Sequence, residues 1–273
     1  MPSLYVVATP IGNLEDISFR ALNVLRAVKL IAAEDTRKTR KLLTHYDIKT
    51  PLTAYHEHNK WSKMEELLRF LQGEGDIALV SEAGTPGISD PGFELIVAAG
   101  QRNIPVVPVP GPSVVTTAVA VSGLSTRRFT YLGFLPRLSR DRKIVLKSVV
   151  NDPGTLVILE APHRLQSTLK DLLSVLGDRR ITVCRELTKI HEEIFHGSVS
   201  RAASWFSSPR GEFTLVIEGS PEIPVPHPAE SDISQHLLRL RREGMAARDV
   251  IAVVSKETGL SRRELYQLWL KLA

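Results

Sequence analysis

Ile77-Ala-Leu-Val-Ser-Glu-Ala-Gly-Thr-Pro-Gly-Ile-Ser-Asp-Pro-Gly92 is the stretch that decides how this chain folds. Its first four residues form a short apolar run bounded by turn signals, the mark of a buried strand. The next twelve, Ser81 to Gly92, hold three glycines, two prolines and several small hydroxyl residues, which suit neither a helix nor a strand interior. An irregular connection of that length inside a compact domain is commonly a binding loop.

The same strand-then-loop pattern recurs on either side. Leu4–Ala8 leads into Thr9-Pro-Ile-Gly-Asn13, Leu30–Ala33 into Glu34-Asp-Thr-Arg37, and Pro105–Val109 into Pro110-Gly-Pro-Ser113. Between the strands, Trp61, Met64, Leu67, Leu68 and Leu71 recur at spacings of three and four, the apolar stripe of an amphipathic helix. Alternation of this kind predicts an α/β fold with a parallel or mostly parallel sheet. Loops that leave the carboxyl ends of parallel strands gather at one edge, so four such loops imply a cleft.

The proline-rich turn at Pro108–Ser113 cannot continue a strand, because proline lacks the ladder N–H. It divides an N-terminal α/β domain, residues 1–110, from a second α/β domain, 111–220. In the second, Thr155–Glu160, Arg180–Glu186 and Phe213–Gly219 read as strands, and Leu165, Leu169, Leu172, Leu173 and Leu176 as a helical stripe. Four prolines within 220–230 predict an extended linker over 221–229. A small helical unit, 230–273, follows. There Val250, Val253 and Val254 share a helix, Thr258-Gly-Leu260 reads as a turn, and Ser261 with Glu264 forms a capping box. Leu265, Leu268, Trp269 and Leu272 mark one face of the last helix, with Arg262, Arg263 and Lys271 on the other. The unit reads equally as a helix-turn-helix that contacts nucleic acid or as a helical hairpin that packs or supports a dimer.

Composition narrows the function classes. The chain has 273 residues, 43% of them hydrophobic, enough for a large core. Its 35 Lys and Arg against 30 Asp and Glu give a formal charge of +5, compatible with an anionic partner. Cys184 is the single cysteine, so neither a disulfide framework nor a cysteine metal site can form within the chain, and it reads as a core residue. The N-terminus shows no basic leader and no run of the ~18 apolar residues a membrane span needs. Together these predict a cytoplasmic protein without a membrane partner. No G-x-x-x-x-G-K-[ST] occurs, and no G-x-G-x-x-G follows the first strand, which disfavours a nucleoside triphosphate or an ordinary dinucleotide site. His56 and His58 lie two apart with no third ligand in view, so no metal is expected.

Taken in order, LYVVATPIGNLEDIS from Leu4, AAEDTR from Ala32, HEHN from His56, SEAGTPGISDPG from Ser81, PVPGPS from Pro108 and RELTKIHEE from Arg185 resemble one family, the 16S rRNA (cytidine-2′-O)-methyltransferases, a branch of the tetrapyrrole methylases. The similarity runs from about Leu4 to Gly219, and the C-terminal unit resembles that branch's helix-turn-helix extension. The resemblance implies two α/β domains with S-adenosylmethionine in the cleft between them, and a homodimer. It also implies methyl transfer to the ribose 2′-hydroxyl of a cytidine in the decoding region of 16S rRNA, free or in the assembled small subunit. It places Pro10, Ala83, Gly84, Thr85, Ile88, Ser113, Val114, Glu160 and Thr188 at the cofactor. Two departures stand out: Glu82 replaces the aspartate common in the branch, and the first loop reads Ala8-Thr-Pro-Ile-Gly-Asn13 rather than the Gly-x-Gly-Pro-Gly-Asp of wider tetrapyrrole methylases. The second departure favours the RNA-modifying branch over a precorrin methylase. A noncatalytic ribosome-assembly factor on the same fold is the reading from another class.

A sulfonium is an activated methyl donor, so the protein has to align the nucleophile, exclude water and supply a base or a cation for the developing alkoxide. Charged and amide residues near the expected cleft are Glu34, Asp35, Arg37, His58, Asn59, Glu186, Lys189, Glu192 and Glu193. From these, Arg37, Asn59, Lys189 and Glu193 are the expected catalytic or substrate-side residues. Asp35 with Arg37 also reads as a local ion pair, and Lys189 with Glu193 as an i, i+4 helical pair. Two basic runs, Arg37–Lys41 and Arg137, Arg140, Arg142 and Lys143, read either as solvated faces or as phosphate contacts.

Overall fold

A computed structural model describes residues 1–221, 230–258 and 260–272. The chain forms two compact units, Met1–Ser220 and Pro221–Ala273. The first contains two five-stranded sheets.

The first sheet is built from β1 (Leu4–Val7), β2 (Leu30–Ala33), β3 (Leu52–Ala54), β4 (Ile77–Val80) and β5 (Val106–Val109), in the order β3-β2-β4-β1-β5, with every pairing parallel. Strands buried on both faces must be apolar throughout, which is why Ile77–Val80 is a continuous apolar run. Helices α1 (Phe19–Ala27) and α2 (Thr36–His45) cover one face with Ala21, Leu22, Leu25, Leu42 and Leu43. On the other, α3 (Lys60–Gly73) and α4 (Phe93–Gln101) bury Leu67, Leu68, Leu71, Leu95 and Ala99. Trp61, expected on the apolar stripe of α3, is 66% exposed in the first turn, and the buried residues of the helix are Leu67, Leu68 and Leu71.

After α5 (Val114–Val121) the second sheet forms from β6 (Phe129–Phe134), β7 (Thr155–Glu160), β8 (Arg180–Arg185), β9 (Glu193–Ser198) and β10 (Phe213–Ile217), in the order β6-β7-β10-β8-β9. Only β6 and β7 run parallel; β10 is antiparallel to both its neighbours, and β8 to β9. Helices α6 (Ser139–Ser148), α7 (Pro162–Leu176) and α8 (Val199–Trp205) pack on one face around Leu146, Leu165, Leu169, Leu172 and Ala202. The opposite face is covered by α5 together with Ile11 from the first sheet's β1 loop and Leu187. Cys184 lies there, 1% exposed, and burial pushes its thiol up to about 12.

The sequence reading of Lys189 and Glu193 as a helical pair is corrected by this topology. Glu186 and Thr188 have φ of 50° and 63°, left-handed values that stop a helix, and Glu193 opens the strand β9. The reading of Arg142 as part of a basic surface is also corrected: its side chain is 2% exposed and holds Asp171 at 2.6 Å.

The second unit packs α9 (Glu230–Arg242), α10 (Ala247–Thr258) and α11 (Arg262–Lys271) around Leu237, Val250, Val254 and Leu265. Leu268, Trp269 and Leu272 pack against this core, and the Ser261–Glu264 capping box is formed with both of its hydrogen bonds. Most of the expected linker, 222–229, and Gly259 of the expected turn lie outside the described residues.

Candidate active site

One cavity of about 520 Å³ opens at the carboxyl edge of the first sheet, within the range of roughly 300–1,000 Å³ typical of cofactor sites. All four strand-end loops reach it. The β1 loop contributes Ile11, the β2 loop Glu34, the β4 loop Glu82 to Asp90, and the β5 loop Ser113 with Val114 and Val115 from the start of α5. The second sheet closes it with Tyr131, Phe134, Leu159, Glu160 and the segment Glu212–Thr214.

The β1 and β4 loops are tied by an antiparallel bridge. Thr9 N–H donates to the Gly84 carbonyl at 2.9 Å, and Gly84 N–H returns to Thr9 at 3.0 Å. Gly84 holds a φ of 81°, which glycine adopts without strain and a β-branched residue does not. The bridge fixes the loop where Ala83, Gly84 and Thr85 line the cavity.

Of the residues expected at the cofactor, Ala83, Gly84, Thr85, Ile88, Ser113, Val114 and Glu160 line this cavity. Pro10 and Thr188 do not. Pro10 stands between Thr9 of the bridge and Ile11 of the lining, and Thr188 Oγ1 accepts the N–H of Asn13 at 3.0 Å. Glu160 is fully enclosed: it accepts from Thr168 Oγ1 and from Ala161 N–H at 2.8 Å, and Arg164 lies 3.2 Å away as an ion pair without hydrogen-bond alignment.

None of the four expected catalytic residues lines the cavity. Arg37, with its side chain 89% exposed, pairs with Asp35, whose carboxylate caps α2 by accepting the N–H groups of Arg37 and Lys38. Asn59 closes the turn before α3, accepting His56 N–H at 2.8 Å and donating to the Ala54 carbonyl at 3.1 Å. Lys189 Nζ bridges Glu186 and Glu212 at 3.0 and 2.8 Å. Glu193 holds Arg185 at 3.0 Å and the indole N–H of Trp205 at 2.7 Å.

Among the described residues the lining instead carries the carboxylates of Glu34, Glu82, Asp90, Glu160 and Glu212, and neither lysine nor arginine. Three of them have cationic partners: Glu82 pairs with Lys38, Glu160 with Arg164 and Glu212 with Lys189. The longer side chain of Glu82 thus reaches α2, and its backbone N–H donates to Glu34 Oε2 at 3.1 Å. Among the described residues no cation lies within ion-pair distance of Asp90. Burial, reinforced by the charge of Glu34 and opposed by the Ser81 hydroxyl, pushes it up to about 6. Burial likewise raises Glu34, against the pull of Lys38. Beside Asp90, Ser89 Oγ meets the Tyr131 hydroxyl at 2.6 Å. A register shift between Tyr131 and Gly133 breaks the regular β6–β7 pairing at this point.

Asp90 and Tyr131 were not among the sequence candidates. Asp90 lies within the glycine-rich loop, but its raised pKa comes from burial and from the charge of Glu34, which is remote in the chain. Glu34 was a candidate on position alone.

Comparison with known proteins agrees with this architecture. Residues 3–203 match the family model described as Tetrapyrrole (Corrin/Porphyrin) Methylases, and residues 227–273 match the RsmI C-terminal HTH domain. The chain is 47% identical over 275 residues to ribosomal RNA small subunit methyltransferase I of Synechocystis sp., covering 100% of this chain and 99% of that protein. The chain belongs to the ribosomal RNA small subunit methyltransferase I family. Another family member, from Halalkalibacterium halodurans, is 44% identical over 98% of this chain and 94% of its own length. The family member from Thermotoga maritima is 48% identical over 221 residues, 80% of this chain and 99% of its own. Among solved structures, diphthine synthase superposes with a TM-score of 0.64 at 13% identity, covering 79% of this chain and 89% of its own. A uroporphyrin-III-C-methyltransferase from Thermus thermophilus gives 0.57 at 18%, covering 80% and 92%. At those identities the likeness is one of fold, and it identifies the two-sheet unit as a tetrapyrrole methylase fold.

Proposed function

We propose that this protein transfers the methyl group of S-adenosylmethionine to the ribose 2′-hydroxyl of a cytidine in the decoding region of 16S rRNA. The observation that carries the reading is the cavity at Ser81–Gly92, acidic and without lysine or arginine in its lining, in a chain whose full-length relatives are named as methyltransferases of small-subunit ribosomal RNA.

A cationic cofactor fits such a lining. Unpaired or half-paired carboxylates attract a sulfonium, and the loop backbone on either side of the bridged Gly84 offers polar groups to an adenosine or amino-acid moiety. Ala83, Gly84, Thr85, Ile88, Ser113, Val114 and Glu160 would hold it, with Pro10 and Thr188 keeping the β1 loop in place. When bound, the cofactor supplies an already activated methyl group.

The protein's own task is then to orient the ribose and take its proton. Asp90 suits the second part: with a pKa near 6 it is largely ionised at neutral pH yet close enough to the working pH to act as a general base. Tyr131, anchored on Ser89, holds the loop beside it. Arg37 and Lys189 lie on the RNA side of the site, and Asn59 and Glu193 support the elements that carry it. Residues 1–110 and 111–220 act as the two domains that enclose the cavity, and 230–273 as a separate helical unit. The same reading carries a cytoplasmic homodimer that needs no metal.

Incubation with labelled S-adenosylmethionine and, in parallel, naked 16S rRNA, assembled small subunits or a precorrin tests the assignment. Nucleoside analysis should recover 2′-O-methylcytidine from one of the RNA substrates. Label on a nucleobase, label only in the tetrapyrrole, or RNA binding without cofactor uptake would overturn it.

A further inference from the structure

The cavity does not end at its acidic lining. Three chain segments run from it into an open groove. Ile11 lines the cavity and the next residues, Gly12 to Glu15, line the groove; Glu34 lines the cavity and the exposed face of α2, from Thr36 to His45, lines the groove. Glu212 lines the cavity, and its carboxylate holds Lys189, which lines the groove. The two halves of the groove share Leu14 and His45, so it is continuous from α2 to the turn Glu186–His191.

Its charge is opposite to that of the cavity. The α2 side carries Arg37, Arg40, Lys41 and His45, and the turn carries Lys189 and His191. Arg37 and Lys189 have carboxylate partners within the protein, but among the described residues no carboxylate lies within ion-pair distance of Arg40 or Lys41, and both are exposed. The carboxylates along the groove are Glu186, which Lys189 neutralises, and Glu15 at its edge. Between Lys189 and His191, Ile190 projects an apolar side chain that is 97% exposed.

We propose that this groove binds the sugar–phosphate backbone of a single RNA strand flanking the nucleotide that enters the cavity, with Arg40 and Lys41 as phosphate contacts and Ile190 against a base face. The inference rests on the reading of the cavity as a site of methyl transfer to RNA. The division of charge gives it physical content. A polyanion is repelled by the carboxylates of the cavity and attracted by the groove, so phosphates stay outside while one nucleoside reaches in. Phosphate neutralisation by unpaired cations releases counterions and makes binding salt-dependent. An apolar tip between cations suits a base face more than a folded acidic protein surface.

The test measures binding of a fluorescent single-stranded fragment of 16S rRNA to the full chain across a salt series, alongside methyl-transfer kinetics. Arg40→Ala with Lys41→Ala should weaken RNA binding about tenfold near ~0.15 M salt and reduce the slope of log affinity against log salt by about 1.4, from ~0.7 per single-strand phosphate. Affinity for S-adenosylmethionine and the melting temperature should stay unchanged, and Lys170→Glu on α7 should change none of these quantities. Ile190→Ser, which removes the apolar tip without adding charge, should weaken RNA binding with the salt slope unaltered. An unchanged affinity and slope in the double variant would overturn the proposal, as would equal competition by polyglutamate matched in charge. Loss of methyl transfer to RNA in the unmodified protein, with the salt-dependent groove binding intact, would instead remove the catalytic reading and leave the groove.

Discussion

The backbone N–H of Asn13 donates to Thr188 Oγ1 at 3.0 Å, joining the loop that leaves the first sheet to the turn that leaves β8 of the second. The contact is close because Gly12 has no side chain. A Cβ there would lie 2.5 Å from Lys189 Cγ, 2.6 Å from Thr188 Oγ1 and 2.8 Å from the Leu187 carbonyl. Gly12→Val is therefore expected to push the two loops apart while each sheet keeps its own core. Calorimetric titration with S-adenosylmethionine should show affinity reduced about tenfold or more, with the far-ultraviolet circular dichroism of the parent.

Gly84→Val acts on the cavity by another route. An added Cβ meets nothing nearer than Ile11 Cγ2 at 3.6 Å, so space is available, but a φ of 81° strains a β-branched residue by about 1–3 kcal/mol. Relaxation of that strain breaks the bridge to Thr9 and withdraws the backbone from the cavity. Cofactor binding should be lost; a variant that binds normally would show that this loop does not hold the cofactor.

Asp90→Asn should lower kcat by about 10²–10⁴-fold, the usual span for a lost general base. In the parent, kcat/KM should rise with pH through about 6, as the carboxylate ionises, and the variant should lack that limb. Stability moves in the opposite sense. The folded pKa lies above the unfolded value, so the folded state binds more protons and the ionised carboxylate destabilises the fold at high pH. Asparagine should raise the melting temperature at pH 8, and the gain should shrink as pH falls from 6 towards 4. A stabilisation independent of pH would argue against the raised pKa.

Arg142 and Asp171 join α6 to α7, with Ser139 Oγ 2.9 Å from the same carboxylate and Lys143 at 3.4 Å. Removing Arg142 leaves the buried Asp171 carboxylate with only the longer contact to half-exposed Lys143 and the Ser139 hydroxyl. Arg142→Ala should cost about 3–5 kcal/mol in chemical denaturation, well above the effect of truncating an exposed cation such as Lys170.

A family member from Thermotoga maritima aligns over 221 residues with 99% of its own length, so a relative is complete with a counterpart for 80% of this chain. Ending this chain at Ser220, the boundary between its compact units, should leave cofactor affinity intact. Precipitation of the shortened chain, or loss of cofactor binding, would show that the first unit depends on the second.

β1, β2, β4 and β5 were legible because they appear as contiguous apolar runs, whereas β3, Leu52-Thr-Ala54, is half-buried at the sheet edge and too short to leave such a run. β9 was not: Glu193-Ile-Phe-His-Gly-Ser198 lies at the edge of its sheet with only Phe195 buried, and leaves little apolar signal. The cavity-lining loop residues were readable from glycine, proline and motif order. The surroundings of Asp90, Tyr131 and Arg142 were not, since each depends on partners remote in sequence and on a degree of burial that residue type does not encode. Glu193 and Asn59 drew attention as polar residues near motifs, yet their side chains are occupied in holding Trp205, Arg185 and the turn before α3.

Cys184, enclosed on the face of the second sheet that meets α5 and the β1 loop, is the only thiol in the chain. Its alkylation needs that interface to part, so the rate of thiol labelling is a clock for local opening immediately behind the cavity, requiring no engineered probe. Slowing of that clock on addition of S-adenosylmethionine would measure how far ligand binding clamps the two sheets together.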